Sequence, residues 1–204
     1  QGRTEEDMDL FYEMIGESRC QSIQLAVMDM WKPFRKSTQH HAPNVRIVFD
    51  KFHIMKHLSA ALDEVRRSEY KRASEKDKRF IKGQRYTLLS HKSNLNIKGQ
   101  EALEMLLKAN KRLNKAYLLK ESFGQLWDYS NPIWARKFFD NWKTQLRWQR
   151  LPSFEKFAEL IENHWEGIIS YCHPDHKVSL GFMEGLNNKI RLIQRRAYGI
   201  RDKE

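Results

Sequence analysis

The spacing of hydrophobic positions changes along the chain, and the change divides it into three parts. Thr4 followed by Glu5, Glu6 and Asp7 predicts a helix start, a hydroxyl cap followed by acids at the positive end of the helix dipole. Leu10, Phe11, Met14 and Ile15 then recur at helical spacing, and Gly16 is the expected stop. Two short apolar runs follow, Ser22 to Met28 and Val45 to Phe49, both rich in strand formers and ending at Asp29 and Asp50. Pro33 and Pro43 bracket the brief crossover between them. Two strands so joined read as a parallel β-α-β unit, part of a larger α/β sheet whose other strands are expected upstream.

Beyond His53 the alternation disappears and helical spacing takes over. Leu58, Ala61, Leu62 and Val65 share a face, and a basic stretch from Arg66 to Lys82 follows. Leu103, Leu106, Leu107, Leu113, Tyr117 and Leu118 continue the period. Phe123 to Trp127, Trp134 to Trp148 and Phe154 to Ile169 predict three more helices, with Pro132 and Pro152 near first turns, where proline is tolerated. Tyr171 to Lys177 reads as a loop, and a last helix is expected from Met183 to Tyr198, closed by Gly199. The order is α/β first, then a long helical stretch, then one basic helix.

Composition sharpens this picture. Hydrophobic residues at 40% and charged residues at 31% fit an ordered, water-facing protein rather than a disordered one. No run of about 18 apolar residues occurs, so no membrane span is expected. Gln1 to Thr4 lacks the apolar core of a signal peptide and has no initiator Met, so upstream sequence is expected. The two cysteines, Cys20 and Cys172, form no CxxC pair, which suits a reducing cytoplasm and argues against a disulfide framework. Cys172, His173 and His176 match no common zinc spacing, so a loop with solvated histidines is expected there. The six Trp are expected mostly to pack helices.

The net charge of +11 makes a polyanion the expected partner, and its distribution says where. Residues 1–31 hold two basic against seven acidic residues, residues 51–90 eleven against five, and residues 185–201 five against none. The positive charge lies downstream, in two blocks.

Candidate chemistry sits where these patterns end. Asp29 and Asp50 close parallel strands, where a carboxylate can reach solvent and hold a divalent cation. The plainer reading is that each caps the helix that follows. On the last helix Glu184, Asn188, Arg191 and Arg195 share one face, opposite Leu186, Ile190, Ile193 and Ala197. One carboxylate followed by guanidinium groups suits metal-assisted phosphoryl transfer, and equally suits a solvated basic helix. His53 and His57, four apart, suit phosphate contact or orientation of nearby carboxylates better than zinc. No P-loop, GxGxxG or Ser-His-Asp arrangement is present.

The segments Val27 to Phe34 (VMDMWKPF), Pro43 to His57 (PNVRIVFDKFHIMKH), Ala61 to Arg66 (ALDEVR), Phe182 to Arg191 (FMEGLNNKIR) and Ile193 to Gly199 (IQRRAYG) resemble insertion-sequence transposases of the IS-L-three group, in the family's order and across essentially the whole chain. The resemblance implies a DDE recombinase: a ribonuclease-H-like core whose two Asp and one Glu hold two Mg²⁺ or Mn²⁺ ions. Residue by residue, it places Asp29 at the second acid and Glu184 at the third. Asp50 and His53 match the supporting Asp-x-x-His element. Beyond Glu184 no acid interrupts the basic row of the last helix, so Asn188, Lys189, Arg191, Arg195 and Arg196 are expected to hold backbone phosphate.

The resemblance further implies an α/β plus all-α architecture: a first part of the core over residues 1–56, a helical insertion domain over 57–178, and a core helix over 179–204. The expected partners are DNA, both element ends and target, and further copies of the protein. The expected location is the bacterial cytoplasm, at the nucleoid. The family's first Asp has no match within residues 1–21, since Asp7 and Asp9 fall on a predicted helix. A non-catalytic DNA-binding remnant is therefore the alternative reading, and a helical protein-interaction domain a third.

Overall fold

Thr4 opens the first helix as its spacing predicts. In the computed structural model, which describes residues 4–176 and 181–196, α1 spans Glu5–Ile15. The Thr4 hydroxyl accepts from the Asp7 N–H at 3.3 Å, and the Thr4 N–H donates to the Asp7 carboxylate at 3.1 Å. This reciprocal pair satisfies two amide donors that a helix start leaves open. Gly16 ends the helix at φ 82°, a conformation few side chains tolerate.

The chain then turns helical again before the first strand, a correction to the expected start at Ser22. Glu17–Ser22 is a short helix, α2, stapled by Gln21 to Glu17 (3.3 Å) and by the Ser22 hydroxyl to the Arg19 carbonyl (2.7 Å). Ser and Gln are indifferent strand formers, and burial of Cys20 favours the helical turn here. Strand β1 is therefore Leu25–Met28, and β2 is Arg46–Phe49. They pair in parallel, Leu25 opposite Arg46 through Met28 opposite Phe49. Between them α3, Lys32–His41, starts with Pro33 in its first turn. It packs on α1: the Tyr12 hydroxyl and Thr38 hydroxyl lie 2.8 Å apart, and the Tyr12 and His41 rings stack with centroids at 5.3 Å.

The helical part is organised around α4, Lys51–Arg72. This one helix carries the chain across position 56. Its buried residues Ile54, Leu58, Ala61, Leu62 and Val65 form a stripe at helical spacing. After α5 (Glu75–Gly83), α6 (Arg85–Leu89) and α7 (Ile97–Ala109), α8 (Lys111–Phe123) packs against that stripe. So does α10 (Pro152–Asn163), whose Ser153 hydroxyl donates to the Ala61 carbonyl at 2.9 Å. Phe123 is the aromatic hub, its centroid 5.0 Å from Trp142 of α9 (Pro132–Thr144) and 4.9 Å from Phe157 of α10. The short α11, Trp165–Ile169, packs on β2 with Gly167 directly against the Phe49 ring. A side chain there would put its Cβ 2.5 Å from that ring, so only glycine fits.

One buried core runs from Phe49 to Cys172, joining β2 to the helices. The described fold is mainly helical with a small two-stranded parallel sheet. No helix among the described residues is long and apolar enough to cross a membrane. The final helix, α12, is Gly181–Arg196. Its expected apolar face is not inward where it is described: Ile190 and Ile193 are exposed. The tryptophans also depart from expectation. Trp127 and Trp142 are buried packing residues, but Trp31, Trp134 and Trp148 are exposed. Tyr171 to His176, expected as a loop, forms the end of one 3-10 turn and all of a second.

Candidate functional site

Pairing in parallel brings Asp29 and Asp50 out at the same end of the sheet. Each follows one member of the Met28–Phe49 pair, and the Asp50 N–H donates to the Met28 carbonyl at 2.8 Å. Their carboxylates are used differently. Asp50 caps α4: its Oδ1 accepts from the Phe52 N–H at 2.8 Å, and its Oδ2 faces His53 Nδ1 at 2.8 Å. The cap reading holds for Asp50, together with the Asp-x-x-His contact. The carboxylate thereby fixes the orientation of the His53 ring. Asp29 does not cap a helix, since α3 begins one residue after its cap Trp31. Its Oδ1 accepts from the Trp31 N–H at 3.1 Å, a side-chain turn that steers the chain away from the strand end.

The start of α4 is cationic. Lys51 lies over the Trp127 ring, its Nζ 5.5 Å from the centroid. One turn beyond His53, His57 is held below its ordinary pKa of 6.5 by partial burial, and further by electrostatic repulsion from its neighbours His53, Lys56 and His164. Beside this helix start opens a cavity of about 760 Å³ whose lining includes Lys51, Trp127, Lys120, Glu121 and His91. Sequence reading missed Lys51, Lys120 and His91. Lys51 was in principle legible as the first cation after a strand-end Asp, but nothing local marks the other two.

On α12, Asn188, Lys189, Arg195 and Arg196 are all exposed. Glu184 and Arg191 belong to the same helix by backbone, but their side chains lie outside the described residues, and so does any approach of Glu184 to Asp29. Among the described residues no three His, Cys, Asp or Glu side chains converge as a metal-binding group. The described donors comprise the Asp29 carboxylate at the strand end and the Asp50–His53 pair beside it.

The described chain is a parallel strand pair ending in two acids, a long helical stretch and a basic helix, and comparison with known proteins gives the family. A family model described as a transposase matches residues 1–204, and the chain belongs to this DDE family of the IS-L-three group. It is 32% identical, over its whole length, to the transposase for insertion sequence element IS1001 of Bordetella parapertussis. It is 26% identical over 98% of its length to the transposase for insertion sequence element IS1557 of Mycobacterium tuberculosis. In each case it spans 50% of the relative. No solved structure matches the chain.

Proposed function

We propose that this chain forms part of the catalytic and DNA-holding body of an insertion-sequence transposase that cuts DNA at the element end and joins the freed 3′-hydroxyl to target DNA. The observation that carries the reading is the delivery of Asp29 and Asp50 to one end of a parallel strand pair, with Asp50 committed to His53. In this reading β1, β2 and α12 belong to a ribonuclease-H-like core, and residues 57–178 are an insertion domain within it.

Asp29 and Glu184 would hold Mg²⁺ or Mn²⁺, since carboxylate oxygens suit these hard cations. Bound there, such ions activate the attacking oxygen and offset charge on the scissile phosphate. Asp50, with both oxygens engaged, supports rather than ligates: it keeps His53 oriented toward the phosphate. Asn188, Lys189, Arg191, Arg195 and Arg196 grip the backbone beyond the cut. The partners are the element ends, target DNA and further copies of the protein, and the setting is the bacterial nucleoid.

The test is Asp29→Ala in the full-length protein, assayed for cleavage of an element-end oligonucleotide and for binding to it. Cleavage is expected to vanish while binding persists. Cleavage at the parental level refutes the assignment. DNA binding by a full-length protein that never cleaves favours the non-catalytic remnant instead.

A further inference from the structure

Between α9 and α10 the chain makes a short external turn whose two ends are nailed into the core. Leu146 is buried on one side and Leu151 on the other. The turn between them lifts Trp148 to 94% exposure, the most exposed of the large hydrophobic residues described. Exposure of this ring has no packing explanation, and the backbone beneath it is strained. Trp148 sits at φ 67° and Arg150 at φ 52°, a region that bulky L-residues avoid. Glycine or asparagine would hold the same turn at lower cost.

The turn is nonetheless rigidly built. The Gln149 N–H donates to the Leu146 carbonyl at 3.1 Å. From below, Arg112 of α8 donates one guanidinium nitrogen to the Arg150 carbonyl and another to Glu69 of α4 at 3.3 Å. Asn110 holds the other Glu69 oxygen at 3.0 Å, so the brace is itself braced. Arg72 approaches Glu69 at 3.9 Å, adding a further exposed guanidinium to the same cluster. A strained, braced position that presents an unburied indole is a binding device rather than a packing residue.

The charge around the ring identifies the occupant. Arg147 and Arg150 flank Trp148 along the chain and are both exposed, whereas Lys143 is already paired with Glu162 at 3.2 Å and Asp140, Glu155 and Glu159 lie on the other side of Arg147. A flat aromatic face flanked by exposed guanidinium groups fits an unpaired nucleobase whose neighbouring phosphates meet the arginines. A protein pocket would need a complementary acidic rim, whereas a nucleic-acid strand supplies both the ring and the negative charge. We infer that Trp148 is a stacking platform for a base unpaired from duplex DNA, an inference that rests on the DNA-processing reading above. It assigns to the helical domain a specific contact with distorted or single-stranded DNA, separate from the phosphate strip on α12.

The experiment uses the full-length protein and two probes at one fixed salt concentration: a duplex carrying a single unpaired 2-aminopurine, and the same duplex fully paired. Binding is expected to quench the unpaired 2-aminopurine emission. Trp148→Ala should weaken binding of the unpaired probe by roughly 5- to 150-fold, the loss of one stacked base. Trp148→Phe should restore most of the affinity. Affinity for the paired duplex should be unchanged in both variants, as should its salt dependence, because no cationic group is removed. Circular dichroism of the variants should match the parent, since the ring buries almost nothing. Unchanged affinity of Trp148→Ala for the unpaired probe overturns the inference, and so does an equal loss on both probes. A change in sedimentation without a change in either affinity shows that a second protein copy covers the ring, and also overturns it. A parent protein that binds neither probe removes the DNA-processing reading itself, an outcome distinct from any behaviour of the variants.

Discussion

A carboxylate at the end of a strand has three competing partners: the backbone of the next turn, a neighbouring side chain, or a cation. Asp50 takes the first two, and the geometry lets the two roles be separated. Asn caps a helix about as well as Asp, whereas Ala does not. Asp50→Ala should therefore lower stability by about 1 kcal/mol, and Asp50→Asn by only a few tenths, measured by urea unfolding. If the Asp50–His53 contact serves DNA cleavage, both variants should lose activity despite this difference in stability. Trp148 shows the opposite case at the same scale. Its backbone costs stability and its side chain recovers almost none in the folded chain, so local energetics alone do not account for the residue.

Among elements, α8 shows how one helix can serve packing and positioning together. Leu113, Ala116, Tyr117 and Phe123 face the core, while Lys120 is buried among them at 5% exposure. Its ammonium donates to the Ser90 carbonyl and to Glu121, both at 2.8 Å, and so ties the end of α6 to α8. Lys120→Met keeps the volume but strands the Ser90 carbonyl and leaves the part-buried Glu121 carboxylate with His91, at 3.5 Å, as its remaining cationic neighbour. We expect a loss of about 1–3 kcal/mol, read as a lowered urea midpoint with unchanged slope. Because Lys120 lines the cavity beside the α4 start, the same substitution reports on whether that cavity meets DNA. Gly167 serves the sheet in a similar way, since its missing side chain lets α11 lie flat on Phe49 and fixes β2 against the helices.

For the whole molecule, the uneven charge matters more than the total. The start of the chain is acidic, while positive charge collects on α4, α5 and α12. Some of it is already neutralised: Asp63 is approached by Arg66, Arg67 and Arg85, which leaves less for a ligand than a residue count suggests. On α12 no acid follows Glu184 within the described residues. Replacing Arg191 and Arg195 together by Ala should weaken binding about equally for unrelated duplexes. The slope of log affinity against log salt should flatten by about 0.9 for each phosphate that the protein no longer neutralises. An unchanged slope with unchanged affinity would mark these arginines as a solvated face, and a loss confined to one sequence would mark them as base readers.

Much of the local order was legible in the residues themselves. The Thr4 cap, the Gly16 stop, the two strand segments, the Asp50–His53 spacing and the basic final helix all depend on neighbours within about four positions, and such short-range rules survive folding. The family, too, is legible in motifs spread across the chain, from VMDMWKPF at Val27 to IQRRAYG at Ile193. What the sequence left open depends on contacts far apart along the chain. The α2 turn comes from the burial of Cys20. The turn that carries Trp148 is braced by Arg112 reaching across to Glu69 and Arg150, and the buried Lys120 finds its carbonyls some thirty residues upstream. Periodicity assigns a tryptophan or a lysine to a face of its own helix. Only the packed molecule decides whether another element covers that face, because burial is a property of what arrives from elsewhere.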